Sequence, residues 1–398
     1  MKVLQINTVC GRGSTGRIAT DLADILKDAG HICRIAYGRD SVPTQYQDIS
    51  IRIGSDLGVK LHGVETRLFD THGFGSTGAT RQFLKWAEAF EPDIIHLHNI
   101  HGYYINIELL FDYLKRAGKP VIWTLHDCWT FTGHCAYFTA VKCDQWQDGC
   151  VNCPQLRKYP KCVFRGNVKQ NYARKKAAFT GVGDMTIVTP SHWLADLVGE
   201  SFLRDYPVRV IPNGIDLEVF KPTPSSFRAR YGLEDKTILL GVANVWDGRK
   251  GLDDFKELSG MLEGSYQIVL VGLSNEQIKS LPDTILGIAR TESIRELAEI
   301  YSAADMFLNP THEDNFPTTN LESLACGTPV ITYQIGGSPE AIDETCGMSV
   351  EPGAANLLTA VKKLSASQDA CVKRAHDFDK RQRFMEYMDL YQQCLQRT

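Results

Sequence analysis

The chain of 398 residues has no apolar run approaching the ~20 residues that a membrane-spanning helix needs. Its opening stretch, MKVLQINTVCG, enters a strand pattern at once and lacks a long apolar signal core. A cytoplasmic protein is therefore expected, at most meeting the inner face of the cell membrane. Charge of one sign is also missing. Forty-three basic and 47 acidic side chains leave a net charge of −4, which gives no broad positive field for a nucleic acid. Cysteine, by contrast, is plentiful at 12 residues. Disulfides are rare in a reducing compartment, so a close cysteine cluster there points to metal or to chance. The rest is an ordinary globular mix, 43% hydrophobic and 23% charged, long enough for two domains.

Short β-branched runs alternate with longer amphipathic stretches. VLQIN (3–7), ICRIAY (32–37), IIHLH (94–98), VIWTL (121–125) and TIVTP (186–190) form one series. VRVIP (208–212), TILLGVAN (237–244), YQIVLVG (266–272), TILGI (284–288), MFLNP (306–310) and PVITY (329–333) form a second. Near-continuous apolar strands separated by helices predict parallel sheets covered on both faces. Two series predict an α/β protein of two doubly wound domains, 1–205 and 206–375. An irregular insert rich in Cys, Gly and aromatics interrupts the first at about 127–165. A closing helix, 376–398, repeats apolar residues at Phe384, Met388, Tyr391 and Leu395. It packs on its own domain or back on the first.

Several motifs carry chemistry. GRGSTG (11–16) follows the first strand, and glycines such as Gly13 and Gly16 let a backbone approach a phosphate at a helix start. A plain tight turn and a dinucleotide site with Asp40 as ribose acid are the alternatives. In NPTHEDNFPTTNLESLACGTPVITY (309–333), carboxylates stand at a strand end and on the next helix, where open α/β sheets bind ligands. That helix opens near Pro317, and Thr318 and Thr319 would offer unpaired N–H groups to an anion. Cys135, Cys143, Cys150 and Cys153 are spaced C-x7-C-x6-C-x2-C, which suits a structural zinc site; free thiols or disulfides are the alternatives. In HLHNIHG, His96 and His98 share a strand face, and Asn99 and His101 lie past the strand end. Basic residues Arg52, Lys60, Arg67 and Arg81 form either a solvated face or one that meets a membrane surface.

VIPNGID (210–216), WDGRKGLDDF (246–255), PSHWLAD (190–196) and EDNFPTTNLESLACGTPVI (313–331) together resemble the retaining glycosyltransferases of family 4. The order and spacing agree over about residues 1–390. HDCWTFTGHC (126–135) and KCDQWQDGCVNCPQLRKYP behind it are similar to the colanic-acid and capsular-polysaccharide branch. The resemblance implies the GT-B fold, two Rossmann-like domains facing across a cleft, and no metal or cofactor in the chemistry. It implies a UDP- or GDP-linked sugar donor in the second domain and a saccharide or lipid-linked acceptor in the first.

Residue by residue, it implies that Lys250, beside Arg249, stabilises the leaving diphosphate, and that His126 supports the transferred sugar or phosphate. The family's two glutamates lie eight positions apart, so Glu322 would hold the ribose and Asp314 the donor sugar. Ile288, in GIART (287–291), would meet the base through its backbone. Asp127 becomes a candidate base for the acceptor hydroxyl. Asn244 stands where the family usually has an arginine, so either Arg249 supplies the second charge or the site has one cation fewer. A nucleotide-sugar epimerase of the same fold and a non-catalytic nucleotide-sugar binder are the rival readings.

Overall fold

The structure, a computed structural model, describes residues 1–397. Its contacts divide the chain into two units, Met1–Pro212 with the residues from Arg383 onward, and Asn213–Gln382.

The first unit is built on seven strands. They are β1 (Lys2–Asn7), β2 (Ile32–Tyr37), β3 (Ser50–Arg52), β4 (Ile94–Leu97), β5 (Val121–Thr124), β6 (Met185–Thr189) and β7 (Val208–Val210). All pair in parallel, in the order β3-β2-β1-β4-β5-β6-β7. The order reverses between β1 and β4, the position where such sheets place ligands beyond their carboxyl ends. Helix α1 (Gly13–Asp28) buries Ile18, Leu22 and Leu26 against one face of the sheet. The closing helix, Lys380–Leu395, adds Phe384, Met388 and Tyr391 to that same core. Leu395, expected on this apolar face, is 36% exposed, and Tyr387, Leu390 and Cys394 are buried instead. The opposite face packs Ile95, Leu97, Trp123 and Ile187 against Phe111 and Phe179. Between β5 and the helix Val168–Phe179, a long irregular stretch contains one 3-10 turn, Trp129–Phe131, and sinks Phe131, Phe138 and Trp146 into this core.

The second unit has six strands. They are β8 (Thr237–Val242), β9 (Tyr266–Val271), β10 (Ile285–Ile288), β11 (Met306–Asn309), β12 (Val330–Tyr333) and β13 (Gly347–Val350). They too are parallel, in the order β10-β9-β8-β11-β12-β13, which reverses between β8 and β11. One core joins Leu240, Val269, Phe307 and Leu321; another joins Leu239, Phe255, Leu308 and Tyr333 on the other face.

Two expectations need correction. VRVIP does not begin the second sheet, because β7 pairs with β6 through Ile187↔Val208 and closes the first one. The seam therefore falls at Pro212/Asn213 rather than near 205. The tail is also divided differently, since residues up to Gln382 stay with the second unit and those from Arg383 join the first.

Candidate active site

In the second unit, chemistry-bearing residues collect after β8 and β11, the pair at which the strand order reverses. A 3-10 turn, Gly248–Lys250, follows β8 and is capped by the Asp247 side chain, which accepts from Arg249 N–H. Gly251 next to it has φ +73°, and a Cβ there would meet the Pro310 carbonyl oxygen at 2.3 Å. Only glycine allows this approach, which sets the turn against the end of β11. His312 N–H donates to the Arg249 carbonyl at 2.8 Å and ties the two loops together.

Lys250 Nζ consequently lies 2.5 Å from Asp314 Oδ2, with both side chains largely buried. The guanidinium of Arg249 turns to the Glu313 carbonyl, 3.1 Å away. Asp314 Oδ1 also accepts from Asn315 N–H, so the carboxylate is held from two sides. The helix Thr318–Ala325 opens after Pro317 with no side-chain cap, and Thr318 and Thr319 are half-buried at its first turn. One turn in, Glu322 is buried and accepts from Tyr301 O–H at 3.0 Å. The structure thus gathers Arg249, Lys250, Asp314, Thr318, Thr319 and Glu322 on two neighbouring loops and one helix. Asn244 is exposed in the loop after β8. Ile288 ends β10, and its carbonyl is used by the Gly272 and Leu273 N–H groups at 2.9 and 3.3 Å.

Beside this cluster, Asp254 accepts from His312 Nε2 at 2.9 Å and from Tyr333 O–H at 2.5 Å. The hydrogen bond to Asp254 raises the His312 pKa against the effect of burial. Burial works to raise the Asp254 pKa, but the bonds from His312 and Tyr333 outweigh it and lower it.

The first unit builds a different kind of site at the ends of β1, β4 and β5. His96, in β4, and His98, just past its end, lie side by side, with ring centroids 4.1 Å apart. His96 bonds Tyr391 O–H at 2.7 Å and Thr124 Oγ1 at 2.8 Å. His98 bonds Gln5 Oε1 at 2.9 Å and faces His126 Nε2 at 3.3 Å. Burial drives the whole series towards the neutral form, with His96 lowered to about 3, His126 to about 4 and His98 well below its ordinary value. Asn99 accepts at its carbonyl from Thr8 and Tyr104 hydroxyls. His101 Nε2 lies 2.9 Å from Asp127 Oδ2, and His101 Nδ1 lies 3.1 Å from Tyr159 O–H. Burial would raise the Asp127 pKa, but the His101 charge and hydrogen bond and the Trp129 N–H lower it.

Gly13 and Gly16 lie at the opening of α1 in the same unit, where the Gly11 N–H closes the loop onto the Gly16 carbonyl at 3.0 Å. The donor residues named from the sequence therefore fall into both units, and Lys250, Asp314 and Glu322 share one.

Residues 15–219 match the family described as Glycosyltransferase Family 4, and residues 236–367 match the one described as Glycosyl transferases group 1. The chain belongs to glycosyltransferase family 4. Over its whole length this family 4 chain is 24% identical to WcaC of Escherichia coli (strain K12), a glycosyl transferase named for colanic acid biosynthesis; the alignment covers 98% of this chain and 100% of the relative. It is 30% identical to a D-inositol 3-phosphate glycosyltransferase of Segniliparus rotundus over 43% of each chain. Among solved structures it is similar to a sucrose-phosphate synthase of Thermosynechococcus elongatus, with a TM-score of 0.74, 18% identity and full coverage of both chains. It is also similar to Anabaena Alr3699/HepE in complex with UDP, with a TM-score of 0.68, 15% identity and coverage of 99% and 100%. These likenesses establish the GT-B type of α/β fold.

Two further features of the family 4 chain belong to its first unit. Lys175 is fully buried, with its pKa lowered to about 7 by that burial. Its ammonium donates to the Trp129 and Thr132 carbonyls at 2.7 and 3.1 Å, which fixes the turn that follows Asp127. Nothing in its sequence neighbourhood, NYARKKAAF, marks it apart from other helix lysines. The second feature is the cysteine cluster. Cys135, Cys143, Cys150 and Cys153 all line one small pocket together with His134. Among the described residues, however, no three Cys, His, Asp or Glu side chains are placed to hold one metal ion. Cys135 hydrogen-bonds Cys153, and Cys150 Sγ accepts from Gly133 N–H at 3.2 Å. The spacing foretold the gathering of the four thiols, but the arrangement described here does not fit the expected zinc tetrahedron.

Proposed function

We propose that this glycosyltransferase moves a sugar from a nucleoside-diphosphate sugar to a hydroxyl of a saccharide or lipid-linked saccharide, with retention at the anomeric carbon. The observation that carries the reading is the Lys250 cluster at the strand-order reversal of the second unit, with its cation, uncapped helix start and buried glutamate. Cleaving the sugar–phosphate bond builds negative charge on the departing diphosphate. A preorganised ammonium and free helix N–H groups stabilise that charge more in the transition state than in the ground state. Lys250 supplies the ammonium, held in place by Asp314. Thr318 and Thr319 open the helix that supplies the N–H groups. Glu322, oriented by Tyr301, accepts hydrogen bonds from ribose hydroxyls, and Asp314 does so from the sugar's hydroxyls.

In the first unit, His126 is neutral at ordinary pH and acts as a hydrogen-bonding group rather than a charge. Asp127, ionised and fixed by His101, accepts the proton or the hydrogen bond of the acceptor hydroxyl. Asn99 and His101 line the same strand ends. Work of this kind suits surface-glycan synthesis, in keeping with the WcaC likeness.

The test is a thermal-shift panel of nucleoside diphosphates, followed by turnover with the matching sugar donors and proton NMR of the product's anomeric centre. A shift with UDP or GDP and a product of unchanged configuration support the reading. Epimer formation without an acceptor, or binding with no turnover on any donor and acceptor, would overturn it in favour of the epimerase or the binder.

A further inference from the structure

Helix α2 (Asp56–Phe69) of the first unit is built inside out. Its fully buried side chains are the polar His62 and Thr66. Four of its apolar side chains point the other way: Leu57 is 67% exposed, Leu61 61%, Val64 50% and Leu68 40%. These four recur at steps of four, three and four, which puts them on one stripe of the helix.

The inner side of α2 is fastened chiefly by hydrogen bonds, with Val59 as its half-buried apolar contact to the core. His62 bonds Ser76 Oγ at 2.9 Å and accepts from Gly75 N–H at 3.2 Å. Asp70, which closes the helix in the left-handed conformation, bonds His134 Nδ1 at 2.6 Å. The outward apolar stripe is therefore a fixed feature and not a frayed one. A helix of ordinary design would bury those leucines, as α1 does.

The stripe continues onto the cysteine-rich insert. Val163 N–H donates to the Arg67 carbonyl and Arg165 N–H to the Leu68 carbonyl, which lays this segment along the end of α2. Between them Phe164 is 76% exposed. The charges around the stripe have one dominant sign. Lys60 and Arg67 line one flank, and the stretch RKYPKCVFR (157–165) carries four basic residues and no acid. Glu65 lies on the other flank, and Asp56 is engaged by Arg52.

We propose that this face is a docking surface for an anionic phospholipid bilayer, with the α2 stripe and Phe164 lying in the interface and the basic rim against the headgroups. An aliphatic stripe beside a basic flank is the arrangement by which helices lie in a membrane surface without crossing it. No helix among the described residues is long and apolar enough to cross a membrane. The docking claim stands on the surface alone. Its consequence for the substrate rests on the transferase reading above. Tyr159, in the same basic segment, is half-exposed, yet its hydroxyl reaches His101 beside Asp127. An acceptor carried on a lipid would then meet its base at the edge of the docked face.

The experiment is flotation of the full chain with phosphatidylcholine vesicles, with and without phosphatidylglycerol, at low and high salt. The wild type should float with the anionic vesicles, and added salt should weaken the association. Leu61→Glu/Phe164→Glu should reduce the partitioning by about tenfold or more. It should retain its melting temperature, its nucleoside-diphosphate binding and its turnover on a water-soluble acceptor. Failure of the wild type to float, or equal flotation of the double variant, would overturn the docking proposal and leave the transferase reading intact. So would light scattering that finds a wild-type dimer abolished by the same substitutions, since a second copy would then be the occupant. Loss of turnover on every donor with flotation intact would overturn the transferase reading alone.

Discussion

The histidine cluster of the first unit and the Lys250 cluster of the second occupy equivalent topological places but use opposite electrostatics. The first runs from within β4 to just past the ends of β4 and β5, the second lies past the ends of β8 and β11, each beside the point where the strand order reverses. In the first, three imidazoles are packed against tyrosines and a threonine, and burial keeps them neutral. In the second, the central contacts are an ion pair, a buried carboxylate and a His–Asp bond. A neutral, donor-rich wall suits a sugar's hydroxyls, while a fixed cation suits a diphosphate. The same scaffold position takes either electrostatic character according to how strongly burial is offset by a charged partner.

The sharpest way to break this contrast is to remove the cation. Lys250→Ala should lower kcat about 100- to 1,000-fold, the range for losing one preorganised stabilising group, while the melting temperature changes little. An unchanged kcat would mean that the charge of the second cluster does no catalytic work. Glu322→Gln keeps the shape and removes the negative charge. It should weaken nucleoside-diphosphate binding about tenfold, measured by calorimetry, with a smaller effect on kcat.

Tyr391→Phe probes the neutral side. It deletes the O–H that bonds His96 and leaves a buried nitrogen unpaired, at a cost of about 1–3 kcal/mol in urea unfolding. The smallest effect concerns pH. His312 has a raised pKa, so its bond to Asp254 contributes fully below the ordinary histidine value and fades as pH rises through the raised one. His96, His98 and His126 behave oppositely. They stay neutral when folded but take up protons when unfolded, so stability falls as pH drops below about 6.5. His312→Gln should therefore lower the urea midpoint at pH 5.5 and hardly alter it at pH 8.5. A cost that grows with pH would reverse the assignment.

Much of this was legible in the sequence, for reasons that differ between elements. The apolar β-branched runs identified eleven of the strands because buried parallel strands need little else. SIR and GMSV escaped because they are short and only partly buried, and their strand character comes from a neighbour's hydrogen bonds. VRVIP read as a strand, but a strand does not announce which sheet it joins. Lys250, Asp314 and Glu322 were singled out by the resemblance to family 4, and the fold brings them together after β8 and β11. Tyr301, which orients Glu322, was not, because packing brings it from another helix. The tyrosines of the closing helix looked purely apolar, yet Tyr387 and Tyr391 place hydroxyls on Thr124 and His96. The pattern DLGVKLHGVETRLF announces two-sidedness but not which side faces out; the bonds of His62 and Asp70 decide that.

The route of the chain bears on its synthesis. Ile215 pairs with Asp379, and Gly214 lies against Lys380 so closely that a Cβ there would meet the lysine Cα at 2.5 Å. The entry and exit of the second unit are thus zipped side by side, and that unit is an insertion within the first. During translation the second unit can finish folding as soon as residue 382 has cleared the ribosome. The earlier-made one must wait, with Val3, Ile35 and Ile122 short of their final cover, until the segment bearing Phe384 and Tyr391 emerges. Order of manufacture and order of completion are therefore reversed, and the aggregation-prone interval belongs to the half that is made first.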